Sequence, residues 1–477
     1  MNLRLNKVIL LTLTLFLSSL ALQAKIELPS VMGDHMVLQQ NSKVNIWGKA
    51  TKNTQVTVVP SWNNKSYTTQ SDKDGKWLLS IETPAAGGPF EISISDGEKL
   101  TLQNILIGEV WFCSGQSNME MPMRGFGGQP ISGANKIIAK AKKETPIRIY
   151  TSKNEYSKVP QDDVAGMWTE NTSEGVAKAS ATAYYFAQFL QETLDVPVGI
   201  IVSSWGGSKI EAWMSRDNFK AFPEFDLSFL DNDEKPTYAN HHAPTHLYNA
   251  KVHPLKNYTV KGMIWYQGES NRDKSKQYLE LQKAFVKNMR EVWNNPEMPF
   301  YYVQIAPFKY DGSENTSAAD LREAQLLAMK EIPNSGMAVA MDIGEEHRIH
   351  PANKEAVGAR LAYWALAKTY DKKGFGYSAP IYQSMKVDGN RIKLEFEKFG
   401  SNGFAPHGEN LKLFEIAGED KVFHPATASA GDGGIYVRAD EVSHPVAVRY
   451  AYKNFVAADL KDELGLPVSS FRTDNWD

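Results

Sequence analysis

A single cysteine, Cys113, stands in a chain of 477 residues. It can close no internal disulfide, and no Cys-x-x-Cys or Cys/His zinc spacing accompanies it. Lying inside an apolar run, it reads as a buried, inert thiol. Charge of one sign is also lacking, since 52 Lys and Arg face 55 Asp and Glu for a net charge of −3. That leaves no basic surface for a phosphate backbone, so nucleic acid is excluded as an expected partner. The long apolar run from Val8 to Leu22 follows Arg4 and Lys7 and precedes Ala24, the layout of an export signal cleaved near Ala24. It is too short and too soon followed by polar sequence for a membrane span, and no nearby cysteine offers a lipid site. A secreted or periplasmic protein without a stable membrane anchor is expected.

Hydrophobic content of 42% and charged content of 22% are those of an ordinary globular protein. The length calls for two or three domains. Residues 25–105 carry short alternating runs split by Gly, Asn, Asp and Pro, predicting a β-sandwich. Within it, Asp72-Lys73-Asp74-Gly75-Lys76 predicts a hairpin turn. Over 106–372, strands at 106–113, 197–204, 260–266, 299–305 and 336–342 alternate with helical segments Ala181–Leu194, Lys274–Trp293, Ala318–Met329 and Asn353–Lys368, predicting a parallel sheet covered by helices. Residues 209–258 break the alternation and read as an irregular, substrate-side insertion. The rest, 373–477, is again strand-like and predicts a C-terminal β-rich region.

The chain turns on 106–122, where Val110-Trp111-Phe112 ends in Cys113-Ser114-Gly115-Gln116-Ser117-Asn118-Met119. A buried strand breaks at a permissive glycine, and Ser117 becomes the candidate nucleophile at the carboxyl end of a sheet. The Gly115–Met119 run resembles the nucleophile block of the SGNH-hydrolase carbohydrate esterases, specifically the sialate O-acetylesterase family. Three further stretches carry the same resemblance in order: Ser203-Ser204-Trp205-Gly206-Gly207-Ser208, Ile264-Trp265-Tyr266-Gln267-Gly268-Glu269-Ser270-Asn271 and Ile349-His350-Pro351. It extends to Leu247-Tyr248-Asn249 and the closing Phe471–Trp476. The resemblance implies an α/β fold, a flavodoxin-like three-layer α/β/α hydrolase domain flanked by the two β-rich regions.

By the same resemblance His350 is the catalytic base, while His347 reads as a solvated loop residue. The broader pattern sets an acid three residues before that base, but position 347 is His. Asp342, at a strand end, is the preferred orienting acid, with Glu345, Glu346 or a backbone carbonyl as alternatives. The resemblance further implies that Gly207 and a side-chain amide join the Ser117 N–H in an oxyanion hole. Gln267 is preferred to Asn271 because it lies nearer its strand. Gln116, Asn118 and Asn271 are assigned to substrate contact. Of Trp205, Trp213, Trp265 and Tyr266, most read as core, with one or two free to stack on a sugar.

The expected function is an exported serine esterase that removes O-acetyl groups from sugars, with 9-O-acetylated sialic acid favoured and xylan, xyloglucan or another plant polysaccharide as alternatives. Its partners are the acetylated glycan and water. A non-catalytic carbohydrate-binding protein is the alternative from another class. A metal hydrolase built on His241, His242, His246 and His253 is disfavoured, because their spacing matches no HExxH helix and Pro244 and Pro254 interrupt it. No metal or cofactor is expected.

Overall fold

A computed structural model describes residues 26–476 apart from 233, 402, 406–410 and 432. The export signal expected over 1–24 lies outside the described residues. The central sheet holds seven strands: β1 (Lys99–Gly115), β2 (Ile147–Ser152), β3 (Gly166–Glu170), β4 (Val198–Ser204), β5 (Gly262–Tyr266), β6 (Phe300–Val303) and β7 (Ser335–Ala338). Their spatial order is β7-β6-β5-β1-β4-β2-β3, parallel throughout except for β3, which runs antiparallel to β2.

Two of these strands, β2 and β3, are missing from the five expected. Their sequences carry charges within the strand: Arg148 is buried and reaches Glu170 across the pair at 3.4 Å, so the apolar signature of a covered parallel strand is broken. The five expected strands are ordered β4-β1-β5-β6-β7. The chain therefore leaves β1 first to one side and later to the other, and this reversal opens a crevice at its carboxyl end.

Alternate residues of β1 serve two cores. Trp111 and Cys113 face one core, with helices α1 (Ala181–Leu194) and α4 (Lys354–Trp364). Val110 and Phe112 face the other, with α2 (Ser275–Val292) and α3 (Ser317–Glu331). Ser180 and Asn353 cap α1 and α4 by accepting the N–H groups of Ala183 and Ala356, both at 3.1 Å.

Before the catalytic region, Lys43–Lys49 pairs with Lys76–Glu82, while Gln55–Pro60 pairs with Tyr67–Gln70 and Gly87–Ser95. The turn at 72–76 forms, with Gly75 at φ +81°. Its flanking strands join different sheets, so it crosses between layers instead of closing the expected hairpin. The first half of β1 pairs antiparallel with Gly87–Ser95, and the strand runs unbroken through the expected division at residue 106. Residues 209–258 contain short 3-10 and π-helical turns, with no strand among the described residues. A seven-stranded sheet running from Ser378–Asp388 to Phe471–Arg472 closes the chain.

Candidate active site

The end of β1 admits only glycine at position 115. Its φ is +142°, and a Cβ would lie 2.1 Å from the Tyr266 carbonyl oxygen. The Gln116 N–H donates to that same oxygen at 2.9 Å, after which the chain folds into the helical turn Ser117–Glu120. Glu120 ties this turn to its neighbours, accepting the Gly206 N–H and Asn154 Nδ2, both at 2.6 Å. A Cβ on Gly206 would come within 3.4 Å of Ser117 Cβ, so the turn after β4 lies directly beside the nucleophile. Gly207 has φ +73°, and its carbonyl accepts from His242 Nε2 at 2.7 Å and Ser270 Oγ at 2.8 Å. The N–H groups of Ser117 and Gly207 form no hydrogen bond with the described residues.

His350, reached through the loop after β7, brings Nε2 to 2.8 Å from Ser117 Oγ. Its Nδ1–H donates to Gln129 Oε1 at 2.6 Å, which leaves Nε2 as the acceptor of the serine proton. Burial, assisted by the nearby Lys354 ammonium, lowers the imidazole pKa to about 4. At neutral pH the ring is therefore an uncharged base already in contact with Ser117. The Phe126 ring meets it edge-on at 5.4 Å. Sequence reasoning missed Gln129, which lies 221 residues from the histidine it orients. The local signal was Gly127-Gly128 before it, a loop whose Phe126 and Gln129 backbones bond reciprocally at 3.1 and 3.0 Å.

Asp342 is not part of this pair. Its Oδ1 and Oδ2 accept from Arg360 on α4 at 2.7 and 2.8 Å, and Oδ2 also meets Lys461 at 3.2 Å. Burial alone would raise its pKa; the guanidinium and Lys461 more than offset this and hold it below the usual carboxylate range. The expected strand stops short at Ala338, and Asp342, in the turn that follows, serves an ion pair. Glu345 accepts the Ala352 N–H at 2.9 Å and Glu346 accepts from Ser313 Oγ at 2.8 Å, so neither replaces it. The His347 side chain is 71% exposed, beside Glu346.

The amides assigned to the oxyanion and substrate are largely committed elsewhere. Gln267 is fully buried; its Nε2 donates to Ser208 O at 3.1 Å and Asn271 Oδ1 at 2.7 Å. Both its N–H bonds are thereby used, and none remains for an oxyanion. Asn271 accepts the Ile210 N–H at 3.1 Å and donates to Glu211 Oε2 at 2.7 Å, linking its loop to the 210–213 turn rather than to a ligand. Asn118 donates to Glu269 Oε1 and Ile349 O and accepts from Lys354 Nζ, at 2.7, 3.1 and 2.5 Å. It supports the His350 loop through Ile349 O, and both its N–H donors are spent, so none remains for substrate. Burial raises the Glu269 pKa and lowers that of Lys354 to about 7. Gln116 Oε1 accepts the Gly268 N–H at 3.2 Å, and its Nε2 donates to no described residue.

Trp213, Trp265 and Tyr266 are wholly buried, whereas Trp205 is only partly so. Among the described residues no group of three or more His, Cys, Asp or Glu side chains is placed to hold a metal.

These residues bring a serine, a neutral imidazole and free backbone donors to one crevice, the equipment of acyl transfer. The family model described as carbohydrate esterase, sialic acid-specific acetylesterase matches residues 107–367. Two curated relatives are sialate O-acetylesterases. That of Homo sapiens is 29% identical over 423 residues, covering 81% of this chain and 79% of that protein. That of Mus musculus is 28% identical over 416 residues, covering 75% and 76%. A solved structure, a carbohydrate acetylesterase from Xanthomonas citri, is 35% identical with a TM-score of 0.86, covering 95% of this chain and 100% of that one. The chain is thus a carboxylic ester hydrolase acting on acetylated carbohydrate. It belongs to the sialic acid-specific acetylesterase family of carbohydrate esterases.

Proposed function

We propose that the chain is an exported serine esterase that removes O-acetyl groups from 9-O-acetylated sialic acids through an acyl-enzyme on Ser117. The observation that carries the mechanism is the 2.8 Å contact between Ser117 Oγ and a His350 imidazole kept neutral by burial. Ser117 Oγ attacks the acetyl carbonyl as its proton passes to His350 Nε2. The oxyanion gathers the N–H groups of Ser117 and Gly207, with Gln116 Nε2 as the side-chain amide left open beside them. When the tetrahedral intermediate collapses, the imidazolium returns its proton to the departing sugar oxygen and acetyl-Ser117 remains. Water then attacks, again deprotonated by His350, and acetate leaves with the serine restored. Gln129 holds the Nδ1–H throughout and stabilises the transient imidazolium with a neutral carbonyl dipole in place of a carboxylate. We assign the sheet and its two helical layers to the SGNH hydrolase fold, which the β4-β1-β5-β6-β7 order supports.

The sialate substrate rests on the description of the matching family and the names of the mammalian relatives. Acetylated xylan or xyloglucan is the second reading; the Xanthomonas citri relative is described only as a carbohydrate acetylesterase, which leaves the sugar open. Acetate release from 9-O-acetylated sialic acid, acetylated xylan and acetylated xyloglucan tests the proposal. Fastest turnover on the sialic acid is expected; preference for either polysaccharide moves the substrate to the second reading, and no acetate from any of the three overturns the esterase mechanism.

A further inference from the structure

We propose that Tyr156 and Trp205 form a stacking platform for the pyranose ring of the acetylated sugar, an inference that rests on the esterase reading above. Tyr156 is 50% exposed, and its ring centroid lies 6.4 Å from that of the part-buried Trp205. A histidine backs each ring. Trp205 stacks on His241 at 5.8 Å and 11°, and Tyr156 on His246 at 5.6 Å and 23°. Burial keeps both histidines below their ordinary pKa, so at neutral pH they back the platform as uncharged rings.

The platform adjoins the chemistry through the backbone. The Trp205 N–H donates to the Gly115 carbonyl at 3.1 Å, and the next residue is the Gly206 that lies against Ser117. A ring resting on Trp205 thus has its substituents within reach of the nucleophile.

The loop bearing Tyr156 is held as firmly as a catalytic element. Lys251, fully buried, donates to Ser152 Oγ at 3.0 Å, Lys153 O at 2.5 Å and Asn154 Oδ1 at 3.2 Å. Asn249 Nδ2 donates to the carbonyls of Ser157 and Lys158 at 3.2 and 2.8 Å. Both anchors belong to the π-helical turn Tyr248–Val252, a distortion that recurs at functional sites. Asn154 in turn reaches Glu120 on the nucleophile's own turn. Burying a lysine is costly, and Lys251 has no part in acyl transfer; it fixes the backbone on one side of a tyrosine that folding leaves half in water. The C–H face of a pyranose is the ligand chemistry that suits such a rigid, uncharged aromatic surface.

Tyr156→Ala and Tyr156→Phe test this, compared on a ring-free acetyl ester, ethyl acetate, and on fully O-acetylated methyl β-glucopyranoside, with acetate release as the readout. For Tyr156→Ala the ratio of kcat/KM on the pyranoside to that on ethyl acetate is expected to fall about tenfold, mainly through KM, as loss of one stacking contact implies. Tyr156→Phe should keep the wild-type ratio, since the ring face remains. An unchanged ratio in Tyr156→Ala, or an equal fall in Tyr156→Phe, overturns the platform. A wild-type protein that cleaves neither ester overturns the esterase reading and the platform with it.

Discussion

Ser117 and His350 meet in one hydrogen bond but stand on unlike supports. The serine is placed by backbone: β1 pairs in register with β4 and β5, Gly115 occupies a conformation closed to other residues, and the Tyr266 carbonyl receives the next N–H. The histidine is placed by side chains drawn from distant parts of the chain, with Gln129 on its ring and Asn118 on the carbonyl of Ile349. Backbone placement leaves a local trace in sequence, an apolar run ending in glycine. Side-chain placement leaves almost none, because the partners are hundreds of residues apart.

Removing either end of the dyad is the most severe way to break this comparison. Ser117→Ala and His350→Ala should each cost on the order of 10⁶ in kcat, and the double variant should be scarcely worse than either, since the two act as one unit. Circular dichroism should stay native for Ser117→Ala. A double variant with multiplied losses would mean that the residues act separately.

The side-chain support is sharpened by Gln129. Gln129→Ala should lower kcat on the order of 10²-fold with little change in KM, since the imidazole loses its orientation but keeps its proton affinity for the serine. A His350 pKa of about 4 also means that kcat/KM of the wild type should hold down to about pH 4, below the ordinary histidine value. Gln129→Glu adds a negative charge that favours imidazolium, so its acid limb should move to higher pH. A limb that stays put would separate Gln129 from the base.

Asp342→Asn should leave kcat within about threefold while destabilising the fold by roughly 1–3 kcal/mol, as Arg360 loses a charged partner in a largely buried pair. Thermal denaturation and turnover measured together distinguish this from a catalytic acid, whose loss would appear in kcat first. The smallest change is expected from His347→Ala, within about twofold of wild-type turnover, given a side chain mostly in solvent. A dead His347→Ala enzyme would return the base assignment to that loop.

Much of the scaffold was legible because burial on both faces writes apolar runs and helix periodicity. Ala181–Leu194 has the bounds expected of it, and four of the five expected strands lie within a few residues of theirs, while β1 starts at Lys99, well before the expected 106. The strands β2 and β3 escaped because Arg148 and Glu170 pair across them and hide the pattern. In the site, position was legible but direction was not. Asp342 lies not at a strand end but in the turn after β7, which stops at Ala338, and its carboxylate turns to Arg360. Gln267 is as rigid as its place beside β5 implies, but rigidity came from spending both amide hydrogens on Ser208 and Asn271. Gln129 had no flanking motif, only a pair of glycines.

Strand β1 carries a mechanical consequence. Its 17 residues are rooted among the N-terminal strands, pass a bulge where Asn104 has φ +55°, and end two residues before Ser117. No linker separates that bulge from Gly115, and Val37–Gln39 pairs with residues 106–108 of the strand. Excising the catalytic half at residue 106 would therefore cut the beam on which the nucleophile is mounted and strip its flank. Because the two regions share this strand and its pairing, they should melt in a single transition.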